Sequence, residues 1–374
     1  MYKPKILVTA ATGHTGSAVV QQLLQQGFPV RAFVRQSDAR AKALESAGAE
    51  IVVGNLLDFR DLRKALSGIQ RAYHCPPFTP NLLHGAMLFA SAAVEAKLEV
   101  VALMSQWHPH PADPSFVTRE HWIANQLYRW MPSVDVIHIN PGLFAFVYML
   151  GLPAILHLGV LMAPFGEGRN APPANEDIAR VATNVLVNPA PHIGKCYRPT
   201  GPELLNPTEI AAIYSSVLGR KVSYRDVPFK SFSKAAKALG FPLFEIAQLR
   251  HYADALRNGV FEVGAPTSHV EEVTGHPPET FENTAKRYFA NPELIHHGLS
   301  DEGRQAAFAF LAKMMLTPAP DLERWENDRD HPLLNKPLLA SANREWLASA
   351  QRQQLHLLPL AGDAMSTGSL RNAV

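Results

Sequence analysis

A run of small and polar residues near the start of the chain has the composition of a phosphate-binding loop. It follows an apolar run and precedes a helical pattern, and it reads Ile6-Leu7-Val8-Thr9-Ala10-Ala11-Thr12-Gly13-His14-Thr15-Gly16. A strand that turns sharply into a helix brings main-chain N–H groups and the helix dipole up to a pyrophosphate. The sequence therefore predicts a dinucleotide site, with a simple strand-to-helix turn as the alternative. The residues expected at the dinucleotide are Thr9, Ala11, Thr12, Gly13, His14, Thr15 and Gly16.

Ala10 stands where loops of this kind usually carry their first glycine. A methyl group must therefore fit the turn. If the main chain at Ala10 needs a positive φ, the side chain strains the loop, because residues other than glycine rarely adopt that conformation.

The end of the second apolar run carries a cation where NAD-specific sites place an acid. Arg35 and Ser37 follow Ala32-Phe33-Val34, and no carboxylate appears before Asp38. A guanidinium pairs with a phosphate through two hydrogen bonds, and Ser37 or Arg40 could assist. The sequence therefore predicts NADP(H) in preference to NAD(H), with a solvated arginine as the alternative.

Alternating periodicities indicate the elements that position these residues. Apolar runs at residues 5–9, 28–34, 51–53, 71–74, 100–104 and 134–139 alternate with helical patterns at 14–26, 38–47, 59–66, 82–96 and 118–130. Strands that alternate with helices form parallel, doubly wound sheets. The predicted fold class is thus α/β, a Rossmann-type doubly wound sheet with a smaller, mostly helical C-terminal substrate region.

The pattern breaks after residue 142 and suggests three regions. Residues 1–142 form the predicted dinucleotide-binding core, and residues 143–290 a substrate-side region interleaved with it. That second region resumes with a helix at 177–186, a strand at 194–199 and a helix at 207–218. Residues 291–374 form a predicted helical extension, with a flexible tail from residue 357.

Residues 143–163 form an apolar stretch without a charged side chain. Its length approaches that of a membrane-spanning helix, but Pro153, His157 and glycines interrupt it. We expect a buried or pocket-lining pair of short helices. A surface that touches lipid or an apolar substrate is one alternative, and a membrane span is the other.

Composition and charge exclude several classes of protein. The 35 basic and 33 acidic residues are spread along 374 residues and give a net charge of +2, so we expect no nucleic-acid partner. The two cysteines, Cys75 and Cys196, lack metal-like spacing. We expect a cytoplasmic protein with no integral membrane span, no metal and a hydrophobic small-molecule substrate; a homodimer is left open.

Several stretches resemble the NmrA-like, atypical short-chain dehydrogenase/reductase family. This family includes isoflavone-reductase-type enzymes, bacterial quinone and azo-dye reductases, and redox-sensing regulators. The resemblance spans residues 3–290 in the family's order. Besides the loop, it rests on residues 30–35, 54–58, 137–142, 176–180, 197–202 and 273–278.

The resemblance implies further cofactor contacts. Asn55 and Leu56 would lie near the adenine, with Asn55 in place of the family's usual Asp. Cys75-Pro76-Pro77 would pass the ribose and the nicotinamide end. The Cys75 side chain could be either a buried apolar group or a redox-reactive thiol. Ser105 matches the serine of the family's active site and would touch nicotinamide or substrate, unless it is a local turn hydroxyl.

The proton donor is the least determined part of the site. Ordinary members of the superfamily use Tyr-x-x-x-Lys on the helix after the fifth strand, and residues 118–127 contain neither residue. His121 lies within one residue of the lysine used by isoflavone-reductase-type enzymes, and an imidazole titrates near neutrality. We therefore predict His121 as the acid, with a plain helix residue as the alternative and His108 and His110 as rivals.

The segment around residue 142 predicts an apolar pocket. Asn140 replaces the arginine that commonly precedes Pro-Gly in the family, which disfavours an anionic substrate. Trp107, Phe144 and Tyr148 would line a cavity for a lipophilic carbonyl, quinone or enone, although these aromatic residues could also be ordinary core. The predicted function is an NADP(H)-dependent reductase. The alternatives are a non-catalytic NAD(P)(H) sensor and a cofactor-assisted isomerase or oxygenase acting on a polycyclic substrate.

Overall fold

The computed structural model describes residues 3–290, 301–329 and 336–352. Seven parallel strands form one sheet in the order β3-β2-β1-β4-β5-β6-β8. This order confirms the predicted doubly wound sheet. Successive strands are added towards one edge from β1 to β3 and towards the other edge from β4 onwards, so the switch point lies between β1 and β4. The strands are β1 (Ile6–Val8), β2 (Val30–Val34), β3 (Glu50–Val53), β4 (Arg71–His74), β5 (Val100–Met104), β6 (Asp135–Ile139) and β8 (Cys196–Tyr197).

Helices cover both faces of the sheet. They are α1 (His14–Gln25), α2 (Ala39–Ser46), α3 (Phe59–Leu66), α4 (Leu82–Glu95), α5 (Phe116–Arg129) and α6 (Asn175–Val187). Side chains alternate along β1, so that Ile6 and Val8 pack against α1, α2 and α6 while Leu7 packs against α3, α4 and α5. Because both faces are buried at the centre of the sheet, β1 and β5 are continuous apolar runs.

The apolar segment after Gly142 folds as two short helical turns and a strand. A 3₁₀ helix covers Ala145–Met149, a π-helix covers Ala154–Leu158, and β7 (Val160–Ala163) follows. The predicted pair of short helices is confirmed, whereas the strand was not predicted. β7 pairs in parallel with β9 (Ser223–Asp226), about sixty residues later, and Gly159 ends the π-helix at φ +65°. Within the described ranges, no helix is long and apolar enough to cross a membrane.

Helices dominate the rest of the chain. They are α7 (Pro207–Leu218), α8 (Phe229–Ala238), α9 (Leu243–Arg257), α10 (His269–Thr274), α11 (Phe281–Ala290), α12 (Asp301–Leu316), α13 (Leu322–Asn327) and α14 (Arg344–Arg352). In the predicted extension, α12 packs against α8 and α13 against α9. The tail predicted from residue 357 lies outside the described residues. The division of the chain at residues 142 and 290 stays a prediction. In the structure α6 packs on α1, and β8 pairs with β6 in the large sheet.

Candidate active site

The loop between β1 and α1 has the strained geometry that the sequence suggested at Ala10. Ala10 has φ +49°, and its carbonyl oxygen accepts a hydrogen bond of 2.9 Å from the Gly13 N–H. A Cβ at Gly16 would lie 2.2 Å from the Ala10 oxygen, which is closer than two non-bonded atoms can approach. The first turn of α1 can therefore pack against the loop only with glycine at position 16.

The start of α1 is open to a ligand. Gly13 is the N-cap and supplies no side-chain hydrogen bond, and the first turn contains no acidic residue. The first N–H groups of the helix lack intrahelical acceptors and favour an anion. The cradle formed by Ala10, Gly13 and Gly16 therefore fits a pyrophosphate. His14 stacks on Phe146 with ring centroids 5.2 Å apart, which joins the loop to the segment after Gly142.

Several predicted loop residues brace the loop from the inside. Thr9 is fully buried, and its hydroxyl accepts a 2.9 Å hydrogen bond from the Cys75 N–H. The Thr15 hydroxyl donates to Asn175 Oδ1 at 3.1 Å, and Ala11 belongs to the core. The side chains of these residues therefore hold β1, β4 and α6 together.

At the end of β2, Arg35 and Ser37 are exposed. No ion pair of Arg35 occurs in the part of the chain that the structure describes. Arg40 is different, because its Nε donates to Asp38 Oδ2 at 3.0 Å. The hydrogen bond from Arg40 lowers the pKa of Asp38 to about 2, and Asp38 also caps α2. Arg40 is thus paired with Asp38, and its role as an assistant to Arg35 stays a prediction.

Asn55 and Leu56 follow β3 at the same edge of the sheet. Asn55 Oδ1 accepts a 3.0 Å hydrogen bond from the Leu57 N–H, and the Asn55 N–H donates to Asp61 Oδ2 at 2.9 Å. Leu56 packs against the core beside α3 and α4. The Asn55 oxygen is therefore used by its own turn, so contact with an adenine stays a prediction for its amide nitrogen.

A cavity of about 360 Å³ lies at the carboxyl ends of β4, β5 and β6. Ligands of doubly wound sheets bind at this edge. Apolar side chains from the loops after these strands and from the following helices form most of its wall: Pro76, Phe78, Met104, Trp107, Leu143, Phe144, Phe146, Val147, Leu249, Ala255, Val260 and Phe261. The polar groups on the wall are fewer: Cys75, Ser105, Gln106, His108, Asp113, Ser115, Thr118, His121, His251 and Tyr252.

The structure brings most of the predicted site residues to this cavity. Cys75, Pro76, Ser105, Trp107, Phe144 and His121 line it. Pro77 is half-buried just outside its wall.

Tyr148 is a correction, because it does not line the cavity. It is fully buried in the core below, where its ring packs edge-on against Phe165 and Phe281 and its carbonyl accepts from the Tyr214 hydroxyl. The 3₁₀ turn presents Phe144, Phe146 and Val147 to the cavity instead.

The two predicted reactive side chains have different environments. Ser105 follows β5, and its buried hydroxyl has no hydrogen-bond partner among the described residues. A hydroxyl that capped a local turn would have one. His121 is 7% exposed, and burial lowers the pKa of its imidazole to about 3. The expectation that His121 titrates near neutrality is therefore wrong; at neutral pH it is an uncharged donor of one N–H group.

Each of the two rival histidines has a polar neighbour, and burial affects the thiol. His108 Nε2 lies 2.7 Å from the Val263 carbonyl oxygen, and His110 Nε2 lies 3.2 Å from Asp113 Oδ2. Burial lowers the pKa of His108 well below its usual value. Burial raises the pKa of Cys75 to about 11, which favours the unreactive thiol over the redox-reactive one.

Sequence reasoning missed the contribution of α9. Tyr252 lines the cavity, and its hydroxyl accepts a hydrogen bond from Gln106 Nε2. His251, the preceding residue, also lines the cavity, and its Nε2 lies 3.3 Å from Glu326 Oε1. No local motif marks these residues, because α9 reaches the site through tertiary packing.

Comparison with known proteins identifies the family. A family model described as the NmrA-like family matches residues 2–111. The chain is 29% identical over 292 residues to the NAD(P)H azoreductase of Xenophilus azovorans. This alignment covers 76% of the present chain and 98% of the azoreductase. The chain is 30% identical over 278 residues to the (4-alkanoyl-5-oxo-2,5-dihydrofuran-3-yl)methyl phosphate reductase of Streptomyces griseus, covering 74% of this chain and 95% of the relative. The chain belongs to the NmrA-like family.

The NmrA-like fold recurs in a solved structure. The NADPH-dependent quinone oxidoreductase QOR2 of Escherichia coli, complexed with NADPH, matches with a TM-score of 0.66 at 24% identity, covering 76% of this chain and 99% of that chain. About a quarter of the present chain has no counterpart in the azoreductase or in QOR2. That share is close to the size of the predicted extension, residues 291–374.

Proposed function

We propose that this NmrA-like protein is an NADP(H)-dependent reductase of a lipophilic carbonyl, quinone or enone. The observation that carries the proposal is the largely apolar cavity at the carboxyl ends of β4 to β6, with the buried Ser105 hydroxyl in its wall. A cavity of about 360 Å³ has the size of a small-molecule site. Relatives named NAD(P)H azoreductase and quinone oxidoreductase support this reaction class.

The cofactor in this proposal lies across the loop and the cavity. The open start of α1 holds the pyrophosphate, and Arg35 pairs with the 2′-phosphate. Cys75 and Pro76, after β4, form the part of the wall nearest the loop. When bound, a reduced nicotinamide supplies hydride chemistry.

The chain's own residues orient the substrate and exclude water. The apolar walls hold a flat ring, and the Ser105 hydroxyl donates a hydrogen bond to the substrate oxygen. The uncharged His121 imidazole offers a second N–H donor on the same wall, so these groups act by positioning and polarising the substrate oxygen. His121 is thereby assigned a hydrogen-bonding role, since a neutral imidazole is a weak acid.

The cavity favours an enzyme over a dinucleotide sensor. A sensor needs the loop between β1 and α1, which binds the dinucleotide, and a surface that a partner protein recognises when the dinucleotide is bound. It does not need an apolar chamber beside the nicotinamide end, lined by Trp107 and Phe144 and containing an unpaired hydroxyl. A sensor would bind dinucleotide without consuming it.

Replacing Arg35 tests both the reaction and the cofactor preference. The wild type should oxidise NADPH in the presence of a lipophilic quinone or enone and should bind NADPH more tightly than NADH. Arg35→Ala should remove about 1.5–3 kcal/mol of that difference, the value of a hydrogen bond between charged groups. Arg40→Ala is the matched control and should change the difference little, because Arg40 is bound to Asp38. Calorimetry gives the affinities; equal affinities for NADPH and NADH in the wild type would contradict the assignment of Arg35.

A further inference from the structure

The segment beyond residue 290 brings a buried carboxylate to the wall of the cavity. Glu326, on α13, is only 7% exposed. One of its oxygens binds the guanidinium of Arg250, and the other, Oε1, lies 3.3 Å from His251 Nε2. Arg250 and His251 are neighbours on α9, and His251 lines the cavity. The carboxylate therefore contacts the Nε2 atom of a histidine that lines the cavity.

The position of Glu326 is fixed by packing. Leu322 is buried in a small core with Ile246 and Ala247 of α9. Trp325 packs edge-on against Phe244 with ring centroids 6.3 Å apart. A histidine and carboxylate held in this way have the arrangement in which a carboxylate sets the orientation and tautomer of an imidazole.

The groups around His251 decide how it can act. Glu326 contacts the His251 ring and Arg250 is its neighbour on α9, while Asp113, His121 and Tyr252 line the same cavity. The charge of Arg119 interacts with that of Glu326. His121 is uncharged at neutral pH, and Tyr252 holds its proton because burial raises its pKa. Arg250 and Arg119 carry permanent charges. Among the described residues, His251 is thus the histidine of the cavity wall whose ring nitrogen lies beside a buried carboxylate that also binds an arginine.

We propose that His251, oriented by Glu326, is the catalytic acid of the reduction, and that Glu326 is a positioning residue. This inference rests on the proposed reductase function. The substrate carbon gains hydride from a dihydronicotinamide, the carbonyl π bond breaks, and its electron pair stays on the oxygen. His251 Nδ1 gives its proton to that oxygen, while Nε2 keeps its proton and its hydrogen bond to Glu326. The neutral imidazole then takes a proton from solvent, and the oxidised nicotinamide leaves.

The first test needs neither cofactor nor substrate. NMR of the histidine ring nitrogens in the full-length, cofactor-free protein should show neutral His251 as the Nε2–H tautomer. Glu326→Gln should convert this to a mixture of tautomers, because the amide can present either its oxygen or its NH₂ group to Nε2. Glu323→Gln removes an exposed carboxylate from the same helix and should leave the spectrum unchanged. An unaltered tautomer in Glu326→Gln would overturn the positioning role.

The second test is turnover against pH. The wild-type kcat should fall at alkaline pH, as an acid loses its proton. His251→Gln should lower kcat by about 10²–10⁴-fold and abolish that alkaline limb, with the Kd for NADPH unchanged. Glu326→Gln should lower kcat by about tenfold, and Glu323→Gln should leave it unchanged. Far-UV circular dichroism and the Kd for NADPH verify that each variant is folded.

The outcomes separate this inference from the reductase function. A wild type that binds NADPH but reduces no acceptor would overturn the function itself. A wild type that turns over, together with a His251→Gln variant of full rate and unchanged pH profile, would overturn His251 as the acid and leave the function standing.

Discussion

Gly13→Val is expected to lower the affinity for both NADPH and NADH by more than about 100-fold, a loss of roughly 3 kcal/mol, while the fold stays intact. Gly13 is the exposed N-cap of α1, where the main chain must approach the pyrophosphate closely. Its φ of −80° is accessible to any residue. A Cβ at Gly13 would lie 3.2 Å from the Ala10 carbonyl oxygen, a close contact that a shift of a few tenths of an ångström relieves. The main effect of the added side chain would therefore be to occupy the phosphate space. Calorimetric titration gives the affinities, and far-UV circular dichroism monitors the fold.

Gly151→Val is the matched control for this loop. A Cβ at Gly151 meets nothing within 4 Å, so the same substitution there should leave binding unchanged. If Gly13→Val bound either dinucleotide with wild-type affinity, the loop would be a strand-to-helix turn only.

Acidification should destabilise the protein strongly. Burial lowers the pKa of His74, His121 and His138 to about 3 each. In the unfolded chain these side chains titrate at about 6.5, so between the two values the unfolded state binds more protons than the folded state. Stability is therefore complete above about pH 6.5 and is lost as the pH falls towards 3. The free energy of unfolding should drop by about 2 kcal/mol per histidine between about pH 7.5 and about pH 5, or roughly 6 kcal/mol in all.

Urea unfolding at several pH values measures this loss. His74 stacks on Phe89 with ring centroids 3.8 Å apart, so His74→Phe is a shape-matched change that removes one of the three groups. Between about pH 7.5 and about pH 5 the variant should lose about 2 kcal/mol less than the wild type. His276 is exposed, and His276→Phe should retain the full dependence. A free energy of unfolding that is constant over this range would contradict the burial of these imidazoles in uncharged form.

The large sheet and the loop between β1 and α1 could be predicted because their signals are local. A strand, a tight turn and a helix follow one another within residues 5–26, and the strain at Ala10 follows from one side chain where a glycine is usual. The β7–β9 pair could not be predicted, because its two short strands lie about sixty residues apart and pair only through tertiary packing.

The substrate side of the site was harder to predict for the same physical reason. Tyr148 lies among aromatic residues that do line the cavity, and only the path of the 3₁₀ turn shows that its ring enters the core. The sequence does not reveal the burial that keeps His121 uncharged. His251 and Glu326 are seventy-five positions apart, and their contact depends on α13 packing against α9.

Transfer of an isotopic label tests the central claim most directly. The wild-type protein would be given NADPH carrying deuterium at both positions of the reactive nicotinamide carbon. The acceptors would be hydrophobic enones and aromatic carbonyls small enough for a cavity of about 360 Å³. Deuterium bound to carbon does not exchange with water, so mass spectrometry of the product reports direct transfer. The account predicts a reduced product that carries one deuterium. NADPH that binds and is not consumed with any acceptor, or a product without deuterium, would contradict it.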